Sequence, residues 1–320
     1  MIHPQRVSAI LLIRIVTWGI LLLTGLLLGP AQAKTRYNVW AKEKIRYLHV
    51  RVQSDPYNAQ LRVLLGNAYF ADGDLLRATV EIERAIELDS TYAEAHCNLG
   101  IVRQTQSRST EAEASYRRAL VIDSTLVEAM AGLGTLLCRS LRHGEGIDYL
   151  ARTLELDARR DDARYNLSVA YHRVGDYRRA VEQLETLRRR HHEFPGSRRA
   201  LSQAYFARGL VLFDAQQTVE ALTFFGQSIE LRDHADVQYA AGLAYMKLED
   251  LAGAEVAFAR AVDLEPDHVP AMHNLANIYE LTGRLDLAAA LLEQVVLLTP
   301  HLLTIDAARS ASYDEAILMK

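Results

Sequence analysis

A small residue recurs every 34 residues through most of this chain, and this period constrains the fold more than any other feature. The interval is 34 except for one step of 41 and one of 33, and the residues are Gly66, Gly100, Gly134, Ser168, Gly209, Gly242 and Ala276. A second series keeps the same interval at Ala78, Ala112, Gly146, Ala180, Ala221, Ala254 and Ala288. A constant period of this length predicts an array of stacked repeats. Such arrays present an extended surface, which favours partner binding over catalysis.

The pattern inside each period predicts two helices. In the first half, Tyr69 follows Gly66 by three positions, which is one turn along the same helical face. In the second half, Ala112, Tyr116 and Ala119 show the i, i+4, i+7 spacing of an apolar helical stripe. Turn-forming residues fall between the two halves at Asp72-Gly73-Asp74, Gly175-Asp176 and Gly283-Arg284.

These positions give the chain a resemblance to the tetratricopeptide repeat family. The family pattern is Leu-Gly, Tyr three positions later, then Ala, an aromatic residue four positions later, a second Ala and finally Pro. The resemblance implies an all-α solenoid of about seven helix–turn–helix repeats. We number them 1 to 7 as residues 59–92, 93–126, 127–160, 161–194, 202–234, 235–268 and 269–302. Repeat 3 departs most, with Leu137 for the tyrosine and Thr153 for the second alanine.

The regions around the repeats complete the predicted domain organisation. Residues 34–58 are expected to form an N-terminal capping helix, and 303–320 a C-terminal capping helix. Repeats 1–4 occupy 59–194 and repeats 5–7 occupy 202–302. The step of 41 predicts an irregular basic insertion at 195–201. Atypical ends are expected because the terminal faces of an array contact water.

The first 33 residues resemble a secretory signal peptide. Arg6 and Arg14 precede an apolar run that ends at Gly29-Pro30, and Ala31-Gln32-Ala33 is a suitable cleavage site. The alternative is an uncleaved signal anchor at 7–28, which is long enough to span a bilayer. Either reading places the repeats outside a bacterial cytoplasmic membrane. The protein is expected to be exported, and so periplasmic or secreted, or else anchored in the inner membrane.

Charge and motif content exclude several classes of function. Without residues 1–33 the chain keeps 34 basic and 40 acidic residues, a net charge of −6, which does not favour nucleic-acid binding. Membrane contact is expected only if the N-terminal segment is uncleaved. No phosphate-binding loop or catalytic motif is present, so we predict neither an enzyme nor a cofactor. The separation expected between Cys97 and Cys138 predicts two thiols and no disulfide.

The family resemblance implies where a partner would bind. In that family the first helix of each repeat lines an inner groove at fixed positions. The candidate partner-binding residues in this chain are Tyr165, His172, Arg173, Phe206, Phe213, Tyr239, Leu243 and Met246. Aromatic and flexible apolar side chains of this kind anchor peptides and helices. The alternative is that they pack against neighbouring helices.

The family members that clamp the carboxylate of a chaperone tail do so with groove lysines and asparagines. Here the lysine positions hold Val63 and Glu128, which argues against tail clamping.

A basic segment joins repeats 4 and 5. Its arginines form a candidate patch for an anionic partner, made of Arg188, Arg189, Arg190, Arg198 and Arg199. The alternative is a solvated helix end. His191 and His192 are adjacent and would point about 100° apart on a helix, so we predict no metal site.

Two functions follow from these features. The first is a non-enzymatic scaffold or adaptor of the bacterial cell envelope that binds a protein or peptide in its groove. The alternative is a structural subunit of an envelope, secretion or pilus assembly complex that associates through its ends. The oligomeric state stays open.

Overall fold

The computed structural model describes residues 30–299, and these residues form fifteen α-helices and no strand. The helices are α1 (Pro30–Ser54), α2 (Ala59–Asp72), α3 (Leu75–Leu88), α4 (Ala93–Thr105), α5 (Ser109–Ile122), α6 (Val127–Arg139), α7 (His143–Leu156), α8 (Asp161–Arg173), α9 (Tyr177–Arg190), α10 (Ser197–Asp214), α11 (Thr218–Leu231), α12 (Ala235–Lys247), α13 (Leu251–Leu264), α14 (Val269–Leu281) and α15 (Leu285–Leu298).

From α2 onward the helices follow one another as seven helical hairpins, and each hairpin lies within one predicted repeat except the fifth, whose first helix begins at Ser197. Within each of the two compact units described below, the helices of a hairpin pack on each other, as α8 does on α9 and α10 on α11. The second helix of a hairpin also packs on the first helix of the next, as α9 does on α10. The all-α repeat fold predicted from the sequence is therefore confirmed.

The chain divides into two compact units, one up to Leu136 and one from Leu137. The boundary falls inside repeat 3, the repeat that departs most from the family pattern. The core of the N-terminal unit includes Leu65 and Ile82, and that of the C-terminal unit includes Leu184 and Phe258. All four side chains are almost completely removed from water.

The two series of small residues have a common packing reason. Four large side chains lie directly over a glycine 16 positions earlier, in the pairs Gly66–Ile82, Gly100–Tyr116, Gly209–Phe225 and Gly242–Phe258. A Cβ atom at any of these glycines would come within 2.5–2.7 Å of the large side chain. The alanines four positions before the large residues are fully buried between the helices. Small and large positions therefore interdigitate across these four hairpins.

The hairpin turns share one conformation, with a left-handed residue between the two helices. The glycines noted in the sequence occupy this position at Gly73, Gly175 and Gly283, with φ between 77° and 88°. In four other hairpins the position is held by Ser107, Leu141, Gln216 and Glu249, with φ of 61–65°. The turn thus persists where its glycine signal is missing, because packing of the two helices determines it.

The predicted end segments fall partly or wholly outside the described residues. Residues 1–29, which contain most of the predicted signal peptide and all of the alternative anchor, lie outside them, as does the predicted helix at 303–320. Helix α1 begins at Pro30, a residue that is well tolerated in the first turn of a helix. The predicted cleavage site, Ala31–Ala33, therefore lies within this helix. The helix ends at Ser54, whereas the expected cap extended to residue 58.

Two further findings concern the described part of the chain. Within residues 30–299, no helix combines the length and the apolar character needed to cross a bilayer. Cys97 and Cys138 are both thiols, as expected.

The structure corrects the expectation of an irregular insertion at 195–201. Helix α10 begins at Ser197 and has 18 residues, where α8 and α12 have 13. The loop before it, 191–196, has six residues, where the loop 157–160 has four. Five of the seven extra residues therefore extend the helix and two lengthen the loop. A helix is favoured here because Ala200 and Leu201 pack against the core of the C-terminal unit.

Candidate partner-binding cavity

A cavity of about 740 Å³ opens in the C-terminal unit between α8 and α10. Helix α8 lines it with Tyr165, Ser168, Val169, His172 and Arg173, and α10 with Arg199, Ala200, Gln203, Phe206, Ala207 and Leu210. Leu184 and Gly196 complete the lining. Four of the eight residues predicted to bind a partner therefore meet in one cavity: Tyr165, His172, Arg173 and Phe206.

The segment inserted between repeats 4 and 5 shapes one wall of this cavity. Gly196 adopts a φ of +78° immediately before α10, and a Cβ there would lie 2.9 Å from the Tyr165 hydroxyl oxygen. The Tyr165 ring also contacts the Phe194 ring, with a centroid separation of 5.5 Å. Only glycine accommodates both the left-handed backbone and the nearby tyrosine at position 196. The loop and the extended helix thus position Tyr165 and Arg199 at the same cavity.

The lining combines an apolar surface with positive charge. Val169, Phe206 and Leu210 provide aliphatic and aromatic surface, while Arg173 and Arg199 are exposed cations. None of the lining residues is acidic. Within the described residues, neither arginine forms a salt bridge with a carboxylate.

His172 does not add a charge to the cavity at neutral pH. Burial lowers the pKa of its imidazole, the neighbouring Arg173 lowers it further, and a hydrogen bond with the Gln203 backbone opposes these effects. In the unfolded chain the imidazole takes up a proton as the pH falls through about 6.5, the ordinary pKa of histidine. In the folded chain it takes up a proton only at a lower pH. This residue therefore contributes stability that is fully present above about pH 6.5 and is lost as the pH falls below that value.

The other four predicted groove residues lie outside this cavity. Tyr239, Leu243 and Met246 lie on α12, half-buried against the core that contains Phe258. Phe213 lies near the end of α10, and the Lys247 ammonium is 4.8 Å from its ring centroid. Part of each of these side chains is committed to packing, as the alternative reading of the sequence allowed.

Comparison with known families gives a consistent result. Models described as tetratricopeptide repeat match residues 170–233 and 245–308, and one described as TPR repeat matches residues 66–107. This chain belongs to the tetratricopeptide repeat family. Proteins of this family are in general non-enzymatic scaffolds that bind other proteins. No curated protein sequence matches the chain.

Several solved structures are similar to this chain. The C-terminal part of a TPR repeat-containing protein from Cytophaga hutchinsonii is 15% identical, with a TM-score of 0.53, over 74% of this chain and 97% of that one. PilF from Pseudomonas aeruginosa is 21% identical, with a TM-score of 0.44, over 69% and 97%. PilW, a type IV pilus biogenesis factor, is 21% identical, with a TM-score of 0.43, over 65% and 94%. The first of these likenesses supports the repeat architecture.

The five arginines of the predicted anionic-partner patch occupy several different settings. Arg199 lines the cavity described above. Arg188 and Arg198 line a smaller cavity of about 250 Å³, where Glu230 is also present. Arg198 donates a hydrogen bond to the Leu231 carbonyl oxygen at 2.8 Å, at the C-terminal end of α11. This is the favourable interaction of a cation with the end of a helix.

The other two arginines of the predicted patch lie beside carboxylates. The Arg190 Nε is 3.2 Å from an Asp161 carboxylate oxygen. The Arg189 guanidinium lies 3.9 Å from Glu185 and donates a hydrogen bond to the Thr186 hydroxyl. Arg199 is therefore the member of this group that faces a cavity without an acidic lining residue.

One group of possible metal ligands occurs in the described chain, made of Asp236, Glu265 and His268. The His268 Nδ1 accepts a hydrogen bond from the Ala271 backbone N–H at 3.1 Å, which caps the start of α14. A neutral imidazole that accepts at Nδ1 carries its proton on Nε2. That Nε2 lies 4.0 Å from Asp236, so its N–H faces the carboxylate and its lone pair is not available to a cation.

Sequence reasoning did not place Gln203 or Gly196 in a site, and it assigned Arg199 to a separate patch. The spacing of four, three and four residues could have indicated that one helical face carries Arg199, Gln203, Phe206 and Leu210. That face becomes apparent only when α10 is known to begin at Ser197.

Proposed function

We propose that this protein is a non-enzymatic scaffold of the bacterial cell envelope that binds a protein or peptide partner in the cavity between α8 and α10. The predicted signal-like segment at residues 1–33 would export it. The observation that carries the proposal is the convergence of Tyr165, Phe206 and the arginines on one open cavity.

The size and the chemistry of the cavity support this proposal. Its volume of about 740 Å³ lies within the range of roughly 300–1,000 Å³ typical of ligand sites. Aromatic rings and arginine are the side chains most enriched among residues that dominate binding energy. Tyr165 and Phe206 are half-buried, so packing against the core restrains each ring while part of it lines the cavity. Rings held in this way bind a partner at a low cost in conformational entropy.

Site-specific photocrosslinking in cells tests the proposal. A photoreactive benzoylphenylalanine in place of Val169, an exposed residue of the cavity, should crosslink a distinct protein partner. The same residue in place of Val219, which is exposed on α11, should not. Equal crosslinking from both positions would contradict binding in the cavity.

A pair of alanine variants separates binding from packing. Phe206→Ala removes an aromatic side chain that is expected to contribute about 2 kcal/mol to the binding free energy, so it should weaken partner capture roughly 30-fold. Phe224→Ala removes a half-buried ring of α11 that packs on Tyr205 outside the cavity, and should leave capture unchanged. If both variants lose capture equally, packing of the unit and not the cavity is responsible.

A second candidate is a structural subunit that associates with other copies or with a larger complex. It is favoured by the apolar surface of α15, where Leu285 is 65% and Leu297 is 75% exposed. Light scattering of the purified chain distinguishes the two: a stable homo-oligomer that Leu285→Lys and Leu297→Lys disrupt would favour the subunit, and a monomer would favour the scaffold.

A further inference from the structure

We infer that the cavity between α8 and α10 selects an acidic peptide segment that also carries a large apolar side chain, with Arg173 and Arg199 binding its carboxylates. The inference rests on the proposed function and adds the chemical class of the partner.

The charge of the cavity is the first reason. Two other arginines of the predicted anionic-partner patch have an internal role: Arg190 pairs with Asp161, and Arg198 donates a hydrogen bond to the Leu231 carbonyl oxygen. Arg173 and Arg199 have no salt bridge within the described chain, and no acidic residue shares the cavity with them. Unpaired guanidinium groups beside an apolar surface are complementary to carboxylates, which they bind through two parallel hydrogen bonds.

The apolar part of the lining is the second reason. Tyr165, Val169, Phe206 and Leu210 offer a surface on which a large aliphatic or aromatic side chain loses contact with water. Inorganic anions have no apolar group that could occupy this surface. The net charge of −6 without residues 1–33 also repels a polyanion at longer range. A peptide with a few carboxylates and an apolar anchor uses both features.

The origin of Arg199 is the third reason. It lies in the five-residue extension of α10, upstream of the groove positions that the family pattern predicts for repeat 5. Arg173 is the last residue of α8. The seven extra residues between repeats 4 and 5 thus add a cation to the cavity that a repeat of ordinary length would lack.

Selection from a random-peptide phage library tests this inference with the full-length chain as bait. The wild-type protein should enrich peptides that combine Asp or Glu with Phe, Leu, Ile or Trp. Synthetic copies of these peptides should bind more weakly at higher salt, since the charge pairs are solvent-accessible.

Two charge-reversal variants provide the decisive comparison. Arg173→Glu with Arg199→Glu should weaken binding of the selected peptides about tenfold or more, because two attractive pairs become repulsive. Arg118→Glu with Arg232→Glu makes the same change in net charge at exposed positions outside the cavity and should leave binding within about twofold. Circular dichroism checks that both variants keep their helix content.

The possible failures are distinguishable. If the selected peptides are not acidic, or bind the Arg173→Glu, Arg199→Glu variant as well as the wild type, the inference is wrong. The proposed function stands in that case provided that Phe206→Ala still removes binding. If no peptide is enriched, or if Phe206→Ala leaves binding intact, the cavity is not the binding site and the proposed function fails as well.

Discussion

Tyr116→Ala is expected to lower the free energy of unfolding by about 4 kcal/mol, the loss typical of a buried aromatic side chain. The Tyr116 ring is 1% exposed, and a Cβ placed on Gly100 or on Gly132 would lie 2.7 Å from it. The ring therefore fills the space between the first helices of repeats 2 and 3. Its removal leaves a cavity shared by two repeats, and the stability of an array depends on such interfaces. Urea denaturation followed by circular dichroism measures the change.

Tyr116→Phe is the matched control for this variant. The Tyr116 hydroxyl donates a hydrogen bond to the Gln104 side-chain oxygen at 2.8 Å, and burial raises the pKa of the phenol. Loss of this hydrogen bond alone should cost about 1 kcal/mol. If the alanine variant lost no more than the phenylalanine variant, the ring would not fill the interface between the repeats.

Gly242→Ala should destabilise the chain, whereas Gly226→Ala should stabilise it. A Cβ at Gly242 would lie 2.5 Å from a Phe258 ring carbon, while a Cβ at Gly226 would meet nothing within 4 Å. Both glycines are in helix interiors, where alanine is favoured over glycine by about 1 kcal/mol. At Gly242 the displacement of the buried ring outweighs this gain, since overpacking a core costs about 1–3 kcal/mol.

The two glycine variants are compared by their thermal melting temperatures. We expect a net loss of up to about 2 kcal/mol for Gly242→Ala and a gain of about 0.5–1 kcal/mol for Gly226→Ala. Changes of the same sign in both variants would show that intrinsic helix propensity dominates at these positions. The series of small residues that recurs every 34 positions would then need an explanation other than close helix packing.

The repeat architecture was predictable because its signals are local and recur. Small residues such as Gly100 and large ones such as Tyr116 keep one spacing in successive repeats, and that spacing reports which helix faces meet. Position within the repeat thus predicted the seven hairpins and their buried stripes. The left-handed turns at Leu141 and Gln216 were not apparent, because their residue types carry no turn signal and helix packing determines the backbone.

The candidate site was predictable only in part. Tyr165, His172, Arg173 and Phe206 occupy groove positions that the family pattern defines, and these four do meet at a cavity. The contribution of Arg199 depends on the extra helical residues before repeat 5, where the repeat spacing gives no guide. Phe213 and Tyr239 were predicted at the same site but lie outside the cavity, partly packed against the core. Their position on a helix does not tell how much of each side chain packs against the next repeat.

Hydrogen–deuterium exchange of the full-length chain, with and without a peptide selected on it, tests most directly where the partner binds. We expect slower exchange confined to α8 (161–173) and α10 (197–214), and no such protection with the Arg173→Glu, Arg199→Glu variant. Protection elsewhere in the C-terminal unit, for example in α14 and α15 without α8 and α10, would contradict binding in the cavity.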